Sequence, residues 1–262
     1  MDVSVCIVNY NTVDLTTKCI KSVFECTKDV DFEVIVIENG SSDGSGEIFK
    51  KEFGERIVLI ENPINRFFTG GFNDAIFKAK GKYALILNSD AYLVDNSVKM
   101  MFDFLESNDD VGAVEGCIID EQSREVTKTS TMELTKLRCS IRGGRKKILH
   151  RKLFYKNEYE TYAMPDWDRK SDREVEVICD AFMMVNTELF KKVGAFNEAL
   201  KLYYTEEYIS DKIRLAGYKL WHLGDPKVYH AWSSSTNKVS SGFIKAIYKT
   251  DEIMYFELKK NY

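Results

Sequence analysis

The chain has 262 residues, 44% of them hydrophobic, and a formal net charge of -4, enough apolar content to bury the core of one large α/β unit or two small ones. That charge excludes a global attraction to nucleic acid. No apolar run approaches the ~18 residues that span a bilayer, and the opening M-D-V-S-V-C-I-V has neither a basic region nor a small-residue cleavage site, so a soluble cytoplasmic protein is expected.

In chain order, residues 3–8 read as a strand, 15–24 as a helix, 32–37 as a strand, 48–53 as a helix and 57–60 as a strand. This alternation predicts a parallel sheet with crossover helices. A helix over 72–80 follows, then a strand over 83–87 (Y-A-L-I-L) buried on both faces. Val98, Met101, Phe102 and Leu105 stand at i, i+3, i+4 and i+7, one buried helical face, and a strand over 111–119 closes this half. From about 120 to 173 the apolar period weakens, and Arg138, Arg142, Arg145, Lys146, Lys147, Arg151 and Lys152 crowd together. The plain reading is a solvated surface; the functional one is a flap meeting the phosphates of a lipid-linked acceptor or an anionic membrane. Order returns over 175–185, followed by a helix over 187–193 stopped by Gly194 and a helix from near Glu206 to before Gly217. A strand over 218–222, a turn at Asp225-Pro226, a strand over 228–230 and an amphipathic helix over 243–259 complete the chain. The six cysteines include no C-x-x-C pair and sit mostly in apolar segments, the pattern of reduced, buried thiols.

Four strands end in polar residues: Asn9-Tyr10-Asn11, Glu38-Asn39-Gly40, Glu61-Asn62 and Asn88-Ser89-Asp90. In open α/β sheets ligands bind at such carboxyl ends. The glycine- and serine-rich stretch 39–46 suits a tight turn that offers backbone N–H groups near a helix start, or a plain turn. Gly70 and Gly71, expected just ahead of a helix, would let a phosphate or ribose approach the backbone. Asp90 is the carboxylate for a hard cation holding a diphosphate, or else a turn former before Ser97. Glu206 and Glu207 follow an aromatic approach, L-Y-Y-T; they either complement the helix dipole or supply a general base. His230, at the end of V-Y-H, suits a metal or a phosphate oxygen, or is structural.

Together the stretches S-V-C-I-V-N-Y-N, V-I-V-I-E-N-G-S-S-D-G-S, N-R-F-F-T-G-G-F-N, I-L-N-S-D-A, A-F-M-M-V-N-T-E-L-F-K-K-V-G-A-F-N-E, Y-Y-T-E-E, A-G-Y-K-L and V-Y-H resemble, in this order and spacing, the inverting family 2 glycosyltransferases of GT-A fold, especially the rhamnosyltransferase branch. The resemblance implies an α/β, Rossmann-like nucleotide-binding fold with a mixed, mostly parallel sheet. It implies one domain over 1–262, with 1–119 binding the nucleotide sugar and 120–262 the acceptor. Asn9, Tyr10 and Glu38 would line the nucleotide pocket, Asn65, Gly70, Gly71 and Asn73 the ribose and diphosphate. Asn88-Ser89-Asp90 stands at the D-x-D-type motif, so Asp90 would bind Mg²⁺ or Mn²⁺ and His230 would lie near it. Ungapped alignment makes Glu206 the base, and a one-residue gap makes it Glu207.

Departures from the family pattern are Glu38 for Asp, Phe67 for Gly and, in the sugar pocket, Asp180 for Gly. The implied partners are a nucleotide-diphosphate sugar and a glycan or polyprenyl-linked glycan, with no nucleic acid and a peripheral contact at the inner face of the membrane. Two other readings remain: a sugar nucleotidyltransferase, which would consume a nucleoside triphosphate, and a degenerate module that binds a nucleotide sugar without turnover.

Overall fold

Short β-branched runs alternating with amphipathic segments fold as crossover units when each helix can cover the sheet that its own strands build. The computed structural model describes residues 1–142, 154–232 and 240–262. Its elements are β1 (Val3–Asn9), α1 (Val13–Cys26), β2 (Phe32–Asn39), α2 (Ser45–Phe53), β3 (Val58–Asn62), α3 (Phe67–Lys78), β4 (Tyr83–Asn88), β5 (Ala91–Leu93), α4 (Ser97–Glu106), β6 (Val111–Asp120), α5 (Lys136–Ile141), α6 (Lys156–Ala163), β7 (Arg173–Val175), β8 (Phe182–Asn186), α7 (Thr187–Lys192), α8 (Thr205–Leu215), β9 (Lys219–His230) and α9 (Ser241–Leu258).

Among the described residues nine strands join in one sheet, ordered β3-β2-β1-β4-β8-β6-β9-β5, with β7 also on β9. Strands β1, β2, β3, β4, β6 and β9 run one way, while β8, β5 and β7 oppose them. The sheet is mixed and mostly parallel, as expected. Register sets Asn9 opposite Glu38, Val8 opposite Asn88 and Asn39 opposite Asn62, so the carboxyl ends of four neighbouring strands finish level.

Side chains alternate across β1: Val5 and Ile7 pack with Phe49 and Met101 on one face, Cys6 with Phe72 and Ile209 on the other. Helix α4 buries Val98, Met101 and Leu105 and leaves Phe102 half-buried, worth ~1.5–3 kcal/mol for each fully buried side chain. All six cysteines are free thiols.

Two elements differ from the sequence reading. Helix α3 begins at Phe67, so Gly70 and Gly71 lie inside it. A Cβ on Gly71 would come within 2.8 Å of Val8 Cγ1 and 3.2 Å of Asn39 Nδ2; the glycine serves close helix–strand approach, not a loop. Strand β9 runs unbroken through Asp225-Pro226. The pairing shifts there, Gly116 facing Leu223 and Cys117 facing Lys227, and such a bulge tolerates a proline that cannot donate to the ladder. Of the basic segment, Arg138 and Arg142 are described, and residues 143–153 lie outside the described residues.

The second half hangs on a buried polar cluster. Glu115 of β6, fully buried, accepts hydrogen bonds from the Thr129 hydroxyl (2.9 Å), the Ser130 hydroxyl and the Cys179 N–H, and lies 2.6 Å from His222 Nδ1. His222 Nε2 lies 2.8 Å from the Arg169 carbonyl oxygen. Both ring nitrogens therefore face acceptors, the pattern of an imidazolium. Burial opposes its charge, and the bond to Glu115 overcomes burial and raises the His222 pKa. The buried Arg169 guanidinium donates to the carbonyls of Thr129, Met164, Trp167, Ser130 and Ala163 at 2.6–3.0 Å.

Because folding raises this pKa, the stabilisation from charged His222 is complete below the unfolded value near ~6.5 and is lost as pH rises through the folded value. We expect His222→Gln to cost about 1.5–3 kcal/mol below that pH, with the deficit shrinking as pH rises. Denaturant unfolding of both proteins across pH 5 to 9 measures it. A deficit independent of pH would contradict a charged His222.

Candidate active site

The level strand ends frame a cavity of about 290 Å³. Its polar wall carries Tyr10, Asn39, Asn65, Asn88, Ser89, Asp90 and His230; its apolar wall carries Phe67, Phe68, Leu202, Tyr203 and Trp232, with Phe243, Ile244 and Ile247 of α9. A concave apolar site with a few converging polar groups is the usual form of a small-molecule pocket.

Asp90 lies two residues past the end of β4 and just before β5, and β5 then pairs with the end of β9, Ala91 opposite His230. That pairing sets His230 Nε2 3.2 Å from Asp90 Oδ1 and 3.3 Å from Asn88 Nδ2. The Trp232 N–H donates to His230 Nδ1 at 3.1 Å, which leaves the proton of a neutral ring on Nε2, aimed at Asp90. His230 thus stands at hydrogen-bond distance from Asp90, the residue beside which the resemblance expected it. No group of three acidic, histidine or cysteine side chains that would cage a metal occurs among the described residues. One carboxylate beside an amide is a donor set that fits Mg²⁺ or Mn²⁺ when substrate phosphates and water supply the remaining oxygens.

A second acidic group is connected to this strand end through the backbone. The Asn88 N–H donates to the Ala181 carbonyl at 3.0 Å, and the neighbouring Asp180 accepts the Thr205 hydroxyl at 2.6 Å, tying the end of β4 to the start of α8. Tyr204, the residue before that helix, holds φ 62°, a conformation that costs a bulky residue ~1–3 kcal/mol. Its ring stacks on Tyr255 at 5.6 Å and its hydroxyl meets Tyr248 and Glu252 at 2.9 and 3.1 Å. Asp251 of α9 fixes the preceding loop: its Oδ2 accepts the N–H groups of Lys201, Leu202 and Tyr203 at 2.9–3.1 Å.

Glu206 and Glu207 open α8 in unequal settings. Glu207 is buried and pairs with Arg142 at 2.8 Å, while Glu206 is partly exposed. Burial, then the charges of Glu207 and Asp180, raise the Glu206 pKa well above the usual carboxylate range. Burial, against the Thr205 hydrogen bond and with Glu207 adding to it, pushes Asp180 up to about 7. A carboxylate so destabilised is a strong proton acceptor.

Other expected site residues are engaged elsewhere. Asn9 is fully buried, donating to Ser41 and Ser45 and accepting from Thr12 and Thr16. Glu38 accepts the Ser41 N–H at 2.9 Å, and Asn11 and Asp43 accept those of Ser42 and Ser45 at 2.8 and 3.1 Å. These three amides of the glycine-rich turn are therefore taken by side chains, so the turn braces β1 against β2. Asn73 exchanges hydrogen bonds with the Phe196 backbone at 2.9 and 3.1 Å, clamping α3 to the segment after α7. Sequence reasoning missed Asn39, which accepts the Arg66 N–H and donates to Asn65. It also missed the α9 wall and Arg142. Asn39 stood in a quoted motif, but nothing local marks which residues a distant helix will cover.

A family model described as Glycosyl transferase family 2 matches residues 4–194. The chain belongs to this family. Over 113 residues it is 34% identical to the poly(ribitol-phosphate) beta-glucosyltransferase of Bacillus spizizenii, covering 41% of this chain and 18% of that one. Over 105 residues it is 30% identical to the UDP-Glc:alpha-D-GlcNAc-diphosphoundecaprenol beta-1,3-glucosyltransferase of Escherichia coli, covering 40% and 41%. The matches thus span less than half the length of these relatives. Among solved structures it is similar to S. aureus TarS 1–349 in complex with UDP (TM-score 0.60, 19% identity, 87% of this chain and 60% of that one). It is also similar to the mannosyltransferase PcManGT from Pyrobaculum calidifontis in complex with GDP-Man and Mn2+ (TM-score 0.59, 17% identity, 87% and 56%). At these identities the likeness establishes the fold, that of the GT-A glycosyltransferases. No helix among the described residues is long and apolar enough to cross a membrane.

In this family 2 domain Gly71 is a packing glycine. Gly71→Ala should cost about 1–3 kcal/mol by overpacking against Val8, seen as a fall of several degrees in thermal midpoint. An unchanged midpoint would return Gly71 to a ligand-contact role.

Proposed function

We propose that this family 2 domain transfers a sugar, of hexosyl or rhamnosyl type, from a nucleotide diphosphate to a hydroxyl of a glycan or polyprenyl-linked glycan, with inversion. The observation that carries the reading is the bond from Asn88 N–H to the Ala181 carbonyl. Together with the Thr205–Asp180 hydrogen bond it ties the strand end that carries Asp90 to the start of α8 that carries Glu206, and on this reading a leaving diphosphate at Asp90 and an attacking hydroxyl at Glu206 would meet across that connection. The named activities of the two curated relatives, transfer of glucose to a poly(ribitol-phosphate) and to a diphosphoundecaprenol-linked sugar, favour an acceptor of cell-surface polysaccharide assembly. A cytoplasmic site at the inner face of the membrane follows from such an acceptor.

In this mechanism Tyr10, Asn39 and Asn65 line the donor side of the cavity. Asp90, with Asn88 beside it, would hold Mg²⁺ or Mn²⁺, and a cation bound there neutralises charge collecting on a departing diphosphate. His230 holds Asp90 through its Nε2–H. Glu206 takes the proton of the attacking acceptor hydroxyl, and the aromatic wall with α9 limits water in the cavity, favouring transfer over hydrolysis.

A positioned base contributes ~10²–10⁴-fold. Glu206→Gln should therefore lower kcat at least ~100-fold in a sugar-nucleotide turnover assay while nucleotide affinity stays within a few-fold. Turnover like that of the wild type would sink the assignment. Release of pyrophosphate from a nucleoside triphosphate would replace the transferase reading with nucleotidyl transfer.

A further inference from the structure

Of the two adjacent glutamates, only Glu207 has a cation at hydrogen-bond distance among the described residues: Arg142 Nη1, 2.8 Å from its Oε1. The other oxygen, Oε2, is buried without a hydrogen-bond partner there. Arg142 directly follows α5, lies 4.9 Å from the centre of the Tyr204 ring and approaches the Tyr248 hydroxyl of α9 at 3.4 Å. One guanidinium thus joins α5, α8 and α9, with side-chain exposures of 26% for Arg142 and 5% for Glu207. A pair so shielded from water is held firmly, because separating it would strand a buried charge.

Glu206 is placed differently. The Thr205 hydroxyl lies 3.3 Å from its Oε2. The charged and titratable groups that face it are Asp180 and Cys179 from the segment before β8, Glu207 on its own helix and Arg142 beyond, with Tyr162 and Tyr248 around the guanidinium.

We propose that Arg142 is a positioning residue that divides the two glutamates between roles: it holds Glu207 in a shielded ion pair, and that pairing leaves Glu206 as the group that takes the acceptor's proton. The inference rests on the transferase reading of the site. As the acceptor oxygen bonds to the anomeric carbon, its proton passes to a Glu206 oxygen. The bond from that carbon to the diphosphate oxygen breaks, and its electron pair leaves with the diphosphate.

Glu207 raises the proton affinity of Glu206 and Arg142 lowers it, so the variants move in opposite directions. The test is carbon-13 NMR titration of carboxyl-labelled glutamate in the full chain, together with the pH dependence of kcat on a sugar nucleotide. Arg142→Met should move the Glu206 midpoint and the acidic limb of kcat up, and Glu207→Gln should move both down, each by on the order of one pH unit. The double variant, which leaves no stranded charge and guards against misfolding of Arg142→Met, should fall between them. Arg142→Lys should stay near the wild type. A merely structural role for Arg142 would lower kcat at every pH and leave the midpoints in place, which would overturn the proposal. So would an inactive Glu207→Gln beside an active Glu206→Gln. The NMR measurement needs no substrate: midpoints that move without turnover on any sugar nucleotide would contradict the transferase reading, whereas unmoved midpoints in an active enzyme would contradict only the role of Arg142.

Discussion

The buried carboxylate of Glu115 is the constraint from which the second half of the molecule is organised. It sits in the middle of β6 and gathers the Cys179 N–H, the Thr129 and Ser130 hydroxyls and the His222 ring. A carboxylate in that position is tolerable only when nearly every lone pair is used and a cation is at hand. The partners come from three separate segments, 129–130, 179 and 222, so satisfying one buried charge fixes the whole arrangement. The consequence reaches the site through Cys179, because the next residue, Asp180, holds Thr205, and Ala181 holds Asn88. The acidic start of α8 and the strand end bearing Asp90 are thus tied through residues 179–181 to a network whose centre is not itself in the cavity.

Helix α9 repeats the principle from the opposite side. Its buried face, Ile247, Asp251 and Tyr255, puts a carboxylate where periodicity expects an apolar residue. Asp251 gathers three backbone N–H groups of the 201–203 loop, and Asp211 of α8 accepts from Tyr255, Lys259 and Tyr262 at 2.7–3.3 Å. The helix that closes the apolar wall of the cavity is therefore docked by hydrogen bonds of fixed direction as well as by apolar contact. Such bonds set orientation, while apolar burial supplies the non-directional part of the stability. The strained Tyr204, caught between the two docked segments, aims the following glutamates.

Sequence made the first half readable because its signals are local. A buried parallel strand is a short apolar run, a crossover helix has one apolar stripe, and both kinds of signal lie within ten residues of themselves. Asn88, Asp90 and His230 were legible as strand-end polar residues, and the structure does bring them together. Gly70 and Gly71 were read as lying ahead of the helix that contains them, and for Gly71 the reason is that a glycine demanded by neighbouring strands looks in sequence like a glycine demanded by a turn. The break expected at Asp225-Pro226 failed for a related reason, since only the partner strand shows that the pairing shifts there. Glu115, Arg169 and His222 carried no signal at all, and Arg142 stood out only as a member of the basic cluster, not as the partner of Glu207. A lone charged residue in a strand has no period, and the partners that explain these residues lie as far off as 65 residues for Arg142 and Glu207 and 107 for Glu115 and His222.

The central claim is that the strand-end cavity holds a nucleoside diphosphate together with a divalent cation at Asp90. Calorimetric titration of UDP and GDP into the full chain, in Mn²⁺ and again in EDTA, tests it most directly when run beside Asp90→Asn. The account predicts that one nucleotide binds at least ~10-fold tighter with the cation, through phosphate oxygens completing its coordination, and that the variant loses this difference. Affinity indifferent to both the cation and the substitution, or no binding of either nucleotide, would contradict it.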